Sequence, residues 1–306
     1  MNIMGENKSL VSVILPAYNE EESLAEEIRK IRSSLDGAGI PYEFIVIDDA
    51  STDRTGEVAK KAGVTVLRHE RNKGVGGARK TGIVAAKSET IITSDADGTY
   101  PADPIPRMIE ALKDQDMVVG ARVAERGTVF FIRYPVKLMI RKLASYMAGY
   151  AIPDLNSGLR VFRKSVALKY FYLLPNTHSW ESTITLAFLC NHQKVKYIPI
   201  EYFKRTGGVS SFHPIKDTYN YISLMIRTIM YFNPLRIFLP LSFFIFAIGF
   251  AKGVYDFILL RHIGMMDALV ILTSFVVLMA GLLADLLVVL HRKLDPLPAQ
   301  PQGDPK

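Results

Sequence analysis

The sequence predicts an α/β domain on a mostly parallel sheet, followed by a hairpin of two apolar helices. Three observations carry this expectation. Short β-branched runs alternate with helical patterns between Leu10 and Ala121. Acidic or polar clusters recur just after those runs. Two long stretches with almost no charge lie toward the C-terminal end.

The strands are expected at Val11–Leu15, Phe44–Ile47, Val64–Leu67, Ile91–Thr93 and Met117–Val119. Between the first two, Leu24, Ile28, Ile31 and Leu35 share one helical face, with Asn19 as the N-cap and Glu22 three positions on. A basic, aromatic stretch runs from Thr128 to Gly149, with Lys137 and Arg141 on one face of a helix starting near Pro135. Gly158 to Ile200 reads as further strand and helix. Ile215, Tyr219, Ile222, Ile226 and Ile229 then recur at helical spacing, as in an amphipathic helix lying on a membrane surface.

The apolar spans run from about Leu235 to Leu260 and from Ala268 to Leu290. Each is long enough to cross a hydrocarbon core, which needs about 20 residues. A buried soluble hairpin is the alternative; length favours the membrane. Arg227 and Arg236 precede the pair and Arg292 and Lys293 follow it, which places both ends and the catalytic domain in the cytoplasm. Lys252 and Asp256 are four apart and can pair. Asp285 is the one charge in the second span, and snorkelling or a helix–helix contact in an oligomer accounts for it better than catalysis. The expected division is a catalytic domain over 1–212, a surface helix over 213–233, two spans over 234–292 and a disordered tail over 293–306.

Composition narrows the chemistry. The 306-residue chain carries a net charge of +7, which suits anionic lipid or a phosphorylated substrate. Nucleic acid fits the charge but not its distribution, because the basic residues cluster near the apolar spans. Cys190 is the single cysteine, so neither an internal disulfide nor a thiolate metal cluster is available. The N-terminal residues lack a signal-peptide pattern, and no internal repeat is visible.

Three clusters sit at strand ends: Pro16-Ala17-Tyr18-Asn19-Glu20, Asp48-Asp49-Ala50-Ser51-Thr52-Asp53 and Asp95-Ala96-Asp97-Gly98. Ligands bind beyond the C-terminal ends of parallel strands, so the three converge on one crevice. Helix capping explains Ser51 and Asp53 alone but not all three clusters together. Asp95 and Asp97 can hold a hard divalent cation, Mg²⁺ or Mn²⁺, which would bridge a diphosphate. The glycine run from Asn72 to Lys80 follows the third strand, which argues against a dinucleotide fingerprint. Its expected role is a loop whose amides, with Lys73 or Arg79, approach a nucleotide.

In this order the motifs resemble the family 2 glycosyltransferases of GT-A fold, within the dolichol-phosphate mannose and glucose synthase branch. The resemblance covers about Val11 to Ser211. It implies an inverting transfer from a nucleotide-sugar to a polyprenyl phosphate, and by analogy a homo-oligomer, with a tetramer as one form. Pro16, Ala17, Tyr18, Glu20, Asp48, Asp49 and Ala96 fall on the donor side, and Asp95 and Asp97 on the metal. Gly120-Ala121-Arg122 is similar to the family's Gly-Ser-Arg, whose arginine meets the lipid phosphate. Asp154 to Arg160 resembles the element beside the acceptor, including Ser157. Trp180-Glu181 falls where the family has an aromatic residue and Glu. Pro199-Ile200, then Arg205, Gly208 and Ser210, matches a further family pattern.

Arg122, Arg133, Lys137, Arg160 and Arg205 are therefore the candidate phosphate clamp; a solvated surface or simple lipid attraction explains some of them equally well. Asp154 is a candidate for orienting the acceptor or a proton, with a structural role in its turn as competitor. Ser211 stands where the family has lysine, which leaves Lys204 or Lys216 to replace it, and Asp97 is followed by Gly98-Thr99-Tyr100-Pro101 rather than Leu-x-His-Pro. Two other readings fit less well: transfer to a lipid hydroxyl or lipid-linked glycan, which needs a stronger base, and a non-enzymatic scaffold that senses nucleotide-sugars.

Overall fold

The computed structural model describes residues 10–123, 141–142, 144–146, 148–177, 179–203, 223, 226, 230–231, 233–262 and 264–294. Arg133, Lys137, Lys204, Arg205, Gly208, Ser210, Ser211 and Lys216 lie outside them, as do the helix start near Pro135, most of the expected surface helix and the tail from 295. The chain divides into two compact units, Met1–Met225 and Ile226–Lys306.

Among the described residues the first unit holds seven strands: β1 (Val11–Ala17), β2 (Tyr42–Asp48), β3 (Thr65–Arg68), β4 (Thr90–Thr93), β5 (Met117–Arg122), β6 (Arg160–Arg163) and β7 (Val195–Ile200). They form one sheet in the order β3-β2-β1-β4-β6-β5-β7. β1 pairs in parallel with β2 and β4, β2 with β3, and β5 with β7. Only β6 runs antiparallel, between β4 and β5. The helices are α1 (Leu24–Gly37), α2 (Thr55–Lys61), α3 (Val75–Ala85), α4 (Ile105–Ala111), α5 (Lys164–Lys169) and α6 (Trp180–Cys190).

Each of these choices has a local cause. β1 is buried along its whole length, so it reads as a continuous apolar run rather than an alternating one. On α1, Leu24, Ile28, Ile31 and Leu35 are all buried, as their spacing requires. The helix starts later than the Asn19 cap implies: Ser23 is its N-cap residue. Asn19 instead takes a left-handed conformation, φ 55°. Its side chain accepts the Thr52 amide hydrogen at 2.8 Å, joining the loops after β1 and β2 rather than opening a helix.

Strand order runs outward from β1 in both directions, to β2 and β3 on one side and to β4 on the other. Such a switch point leaves a crevice beyond the strand ends, because the following loops diverge. Helix α3 lies close over β1 and β2 because Gly82 has no side chain. A Cβ there would fall 2.4 Å from Ile14 Cγ2 and 2.8 Å from Ile47 Cδ1.

The second unit contains α7 (Leu235–Leu260) and α8 (Met265–Leu294). Both are apolar and long enough to cross a membrane, and most of their large side chains are exposed. Close approach is allowed by glycine: a Cβ on Gly281 would meet Phe238 Cβ at 2.4 Å, and one on Gly249 would meet Val270 Cγ1 at 2.9 Å. Near the turn, Lys252 Nζ donates to Asp256 Oδ2 at 2.7 Å, the pair expected from spacing. It also donates to Asp267 Oδ1 at 2.5 Å, across to the other helix.

Gly82→Val should destabilise the first unit by about 1–3 kcal/mol through overpacking. The check is thermal unfolding of purified protein, where a melting temperature equal to that of wild type would refute this account of α3 packing.

Candidate active site

The loops after β1 and β2 build one wall. Asp49 N–H donates to the Ala17 carbonyl at 2.9 Å, continuing the β1–β2 pairing past the strand ends. The Asn19 amide donates to Ser51 Oγ at 3.1 Å, and the Glu20 amide to Thr55 Oγ1 at 2.8 Å. Ala50, like Asn19, has a positive φ, 65°. A left-handed alanine costs about 1 kcal/mol, and the surrounding hydrogen bonds hold it there. Pro16 and Ala17 are buried, whereas Tyr18 is 45% exposed and presents its ring outward.

Asp48 and Asp49, expected on the donor side, are both buried. Asp48 Oδ1 accepts the Ser51 amide at 2.8 Å. Asp49 accepts the amides of Lys73 at 2.9 Å and Gly74 at 2.8 Å, and lies 2.6 Å from His69 Nδ1. These carboxylates shape the loops from within. The glycine run also departs from expectation. Gly76 and Gly77 donate their amides to the Asn176 carbonyl at 3.0 and 3.2 Å. A Cβ on Gly76 would fall 2.3 Å from the Pro175 carbonyl oxygen. The glycines are therefore small so that two backbones can touch, and these four amides are spent inside the protein rather than on a nucleotide.

The Asp95–Asp97 turn forms the floor. Both acids are half-buried. Ser23 Oγ lies 2.8 Å from the Ala96 carbonyl and 3.1 Å from Glu20 Oε2, so its one hydrogen serves either acceptor and joins this turn to the β1 loop. Asp97 Oδ1 accepts the Thr99 hydroxyl hydrogen at 2.7 Å. The element over 154–160 closes on the same turn: Gly158 N–H donates to the buried Tyr100 hydroxyl at 2.7 Å. A Cβ on Gly158 would stand 2.6 Å from Asp95 Oδ2. Tyr100 belongs to the Gly98–Pro101 segment that departs from the family pattern, and it ties the acidic turn to the element at 154–160.

At the far edge, Arg122 ends β5. Asp154 accepts its backbone amide at 3.0 Å, Nε at 2.7 Å and an Nη hydrogen at 2.8 Å. Burial works to raise the Asp154 carboxyl, but the hydrogen bonds and charge of Arg122 override it and hold it below the usual carboxylate range. The guanidinium also lies over the Tyr202 ring, 5.1 Å from its centroid. Tyr202 packs edge-on against Tyr100 at 5.3 Å and feels the charges of Asp97 and Asp95. Tyr202 thus stands between the Arg122 guanidinium and the acidic turn.

Comparison with known proteins fits this geometry. The model described as glycosyl transferase family 2 matches residues 12–171, more than half of the chain. The chain belongs to glycosyl transferase family 2. It is a glycosyltransferase. The GtrB C-terminal hairpin model matches residues 233–290, so the two apolar helices form a membrane-anchor hairpin. An uncharacterized protein of Methanocaldococcus jannaschii is 31% identical over 64% of this chain and 82% of its own length. An undecaprenyl-phosphate 4-deoxy-4-formamido-L-arabinose transferase of Edwardsiella ictaluri is 30% identical over 80% of this chain and 75% of its own. A dolichol-phosphate mannosyltransferase of Pyrococcus furiosus is 36% identical over 51% of this chain and 47% of its own. Among solved structures, glucosyl-3-phosphoglycerate synthase from Mycobacterium tuberculosis in complex with UDP matches with a TM-score of 0.57. It is 17% identical and covers 72% of this chain and 80% of that one, which shows a shared GT-A fold.

Two arginines of this transferase are not where sequence placed them. Arg79, expected near the nucleotide, is fully buried, paired with Glu181 and, at 2.6 Å, with Asp95 Oδ1. Arg160, expected on the acceptor phosphate, is also fully buried; it donates to the Ser157 and Leu155 carbonyls at 2.7 and 3.1 Å and to Thr185 Oγ1 at 2.7 Å. Ser157 is buried beside it. Both arginines brace loops from below because a guanidinium's five donors can satisfy scattered carbonyls and carboxylates.

Glu27 and Tyr202 escaped the sequence reading, and Glu181 entered it only as a match to a family position. The signal for Glu27 was an acid on the otherwise apolar face of α1. Burial pushes its carboxyl up to about 7; Lys30 pulls it back, and the charges of Asp97 and Asp95 add to the rise. The negative field that these two aspartates cast on Glu27 is what a cation site requires. Among the described residues no three His, Cys, Asp or Glu side chains cluster as a metal site. Asp95 and Asp97, two half-buried carboxylates on one turn, have the oxygen chemistry that a hard cation takes.

Gly158→Ala should cut turnover by about a hundredfold while leaving the protein folded, since the methyl group displaces Asp95; equal kcat in a transfer assay would refute this. Glu27 also sets a pH dependence. Its folded pKa lies above its unfolded value near 4.5, so its contribution is complete below pH 4.5 and is lost as pH rises through 7. Metal-free protein should lose roughly 3 kcal/mol across that window, and Glu27→Gln should remove this slope from the melting curve.

Proposed function

We propose that this glycosyltransferase moves a sugar, with inversion, from a nucleotide-sugar to a polyprenyl phosphate at the cytoplasmic face of a membrane. The observation that carries the reading is the placement of Arg122 and the Asp95–Asp97 turn about one pair of tyrosines. One charge suits an acceptor phosphate and the other a donor diphosphate through a cation. The membrane-anchor hairpin and the names of the Edwardsiella and Pyrococcus relatives support a lipid-phosphate acceptor. Arg236, with Arg227, Arg292 and Lys293, supports the cytoplasmic orientation by the positive-inside bias.

Tyr18 and Lys73 lie on the donor side, and Glu20 supports the loop that carries Tyr18. Asp95 and Asp97 would hold Mg²⁺ or Mn²⁺, which stabilises the charge gathering on the departing nucleoside diphosphate. A phosphate oxygen of the acceptor attacks the anomeric carbon while the bond from that carbon to the diphosphate oxygen breaks. The acceptor is already ionised at neutral pH, so no strong base is needed, and positioning is the protein's main contribution. Asp154 suits this economy. Fixed to Arg122 and held below the usual carboxylate range, it is a poor base and a good orienter of the arginine. That also counts against a hydroxyl acceptor, which would ask more of Asp154. Arg205, Arg133 and Lys137 are proposed as further phosphate contacts on the resemblance alone.

The test is a transfer assay with purified full-length protein, a panel of labelled UDP- and GDP-sugars, Mn²⁺ or Mg²⁺, and polyprenyl phosphate. Label should enter a lipid product only when metal and lipid phosphate are both present, and Asp97→Ala should lower the rate by at least about a hundredfold. Transfer to lipid without a phosphate acceptor, or near-normal rates in folded Asp97→Ala, would overturn the reading.

A further inference from the structure

Asp95 is held by a buried chain of charge that the reaction itself does not call for. Arg79 projects from α3 into the interior with no exposed surface. One Nη donates to Asp95 Oδ1 at 2.6 Å, and the other pairs with Glu181 in the first turn of α6. The Trp180 ring lies against its guanidinium, 5.1 Å from centroid to Cζ. Burial opposes the Arg79 charge, and the charges of Glu181 and Asp95 more than offset it. A second fully buried guanidinium, Arg160, also feels Glu181.

A cation bound at Asp95 would be repelled by a bare Arg79 a hydrogen bond away, and that repulsion is strong where water is excluded. Glu181 returns the negative charge that Arg79 takes from Asp95. The glycine run serves the same end. Gly74 and Gly76 let the start of α3 meet the backbone of residues 175–177, just before Trp180 and Glu181.

We propose that Glu181 is a positioning residue that sets the divalent-cation affinity of Asp95 by neutralising Arg79. This rests on the reading of Asp95 and Asp97 as the cation ligands. A simple staple between α3 and α6 would govern unfolding but not cation affinity, so the two roles separate experimentally.

The experiment measures Mn²⁺ binding to full-length protein by the loss of the free-ion EPR signal, with UDP and again with GDP present, without turnover. Glu181→Gln, similar in shape but uncharged, should weaken binding by about fivefold or more. The double variant Arg79→Met/Glu181→Gln removes the Arg79 cation together with the carboxylate that neutralises it. It should fold even if the single variant does not, and should bind Mn²⁺ within about twofold of wild type. Unchanged affinity in Glu181→Gln overturns the proposal, as does a double variant that binds about fivefold or more weakly. If wild type binds no Mn²⁺ with either nucleotide, the metal reading itself falls. If wild type binds and Glu181→Gln binds equally, only the role of Glu181 falls.

Discussion

Arg79 carries a positive charge into a part of the molecule with no access to water. Such a charge is tolerated when its hydrogen bonds are met, and for Arg79 ionised partners meet them. Here the partners come from segments far apart in the chain: Asp95 follows β4, and Glu181 opens α6. Bringing them together requires α3 to lie low on the sheet and to touch residues 175–177. Gly82 allows the first contact, and Gly74 and Gly76 allow the second. The acidic turn, the glycine run and the start of α6 are therefore one construction, and its exposed product is a half-buried Asp95.

The remaining wall is held by a different economy. Asn19 and Ala50 both sit in the left-handed region, at neighbouring strand ends. Their loops are locked by bonds that cross between them, from Asn19 to Ser51 and Thr52 and from Glu20 to Thr55. Asp49 then reaches down to the Lys73 and Gly74 amides and to His69, whose Nε2 stands 2.9 Å from Thr81 Oγ1. Strain at the crevice is thus met by hydrogen bonding just behind it.

In the hairpin unit, helix contact depends on small residues and one shared cation. Without a hydrophobic drive between helices in lipid, close packing at Gly249 and Gly281 supplies dispersion. Lys252 links Asp256 and Asp267 beside the turn, so charges costly in an apolar span satisfy one another.

The sequence by itself determined the layout. Strand periodicity placed β1, β2, β4 and β5 within a few residues of their observed bounds, and span length defined α7 and α8. The clusters at 16–20, 48–53 and 95–98 lie at strand ends because a parallel sheet puts its loops there. Tertiary structure alone decided what each polar residue does. Asp-Asp, Gly-x-Gly and Arg look alike in sequence whether they face a ligand or a neighbouring loop. Burial turned Asp48, Asp49, Arg79 and Arg160 inward, and the antiparallel direction of β6 was invisible because a short strand pattern carries no direction. Tyr202, Glu27 and Glu181 gained their places only through neighbours far away in the chain. Local pattern records which face of an element is apolar, but the partner of a buried charge is fixed by packing between distant segments.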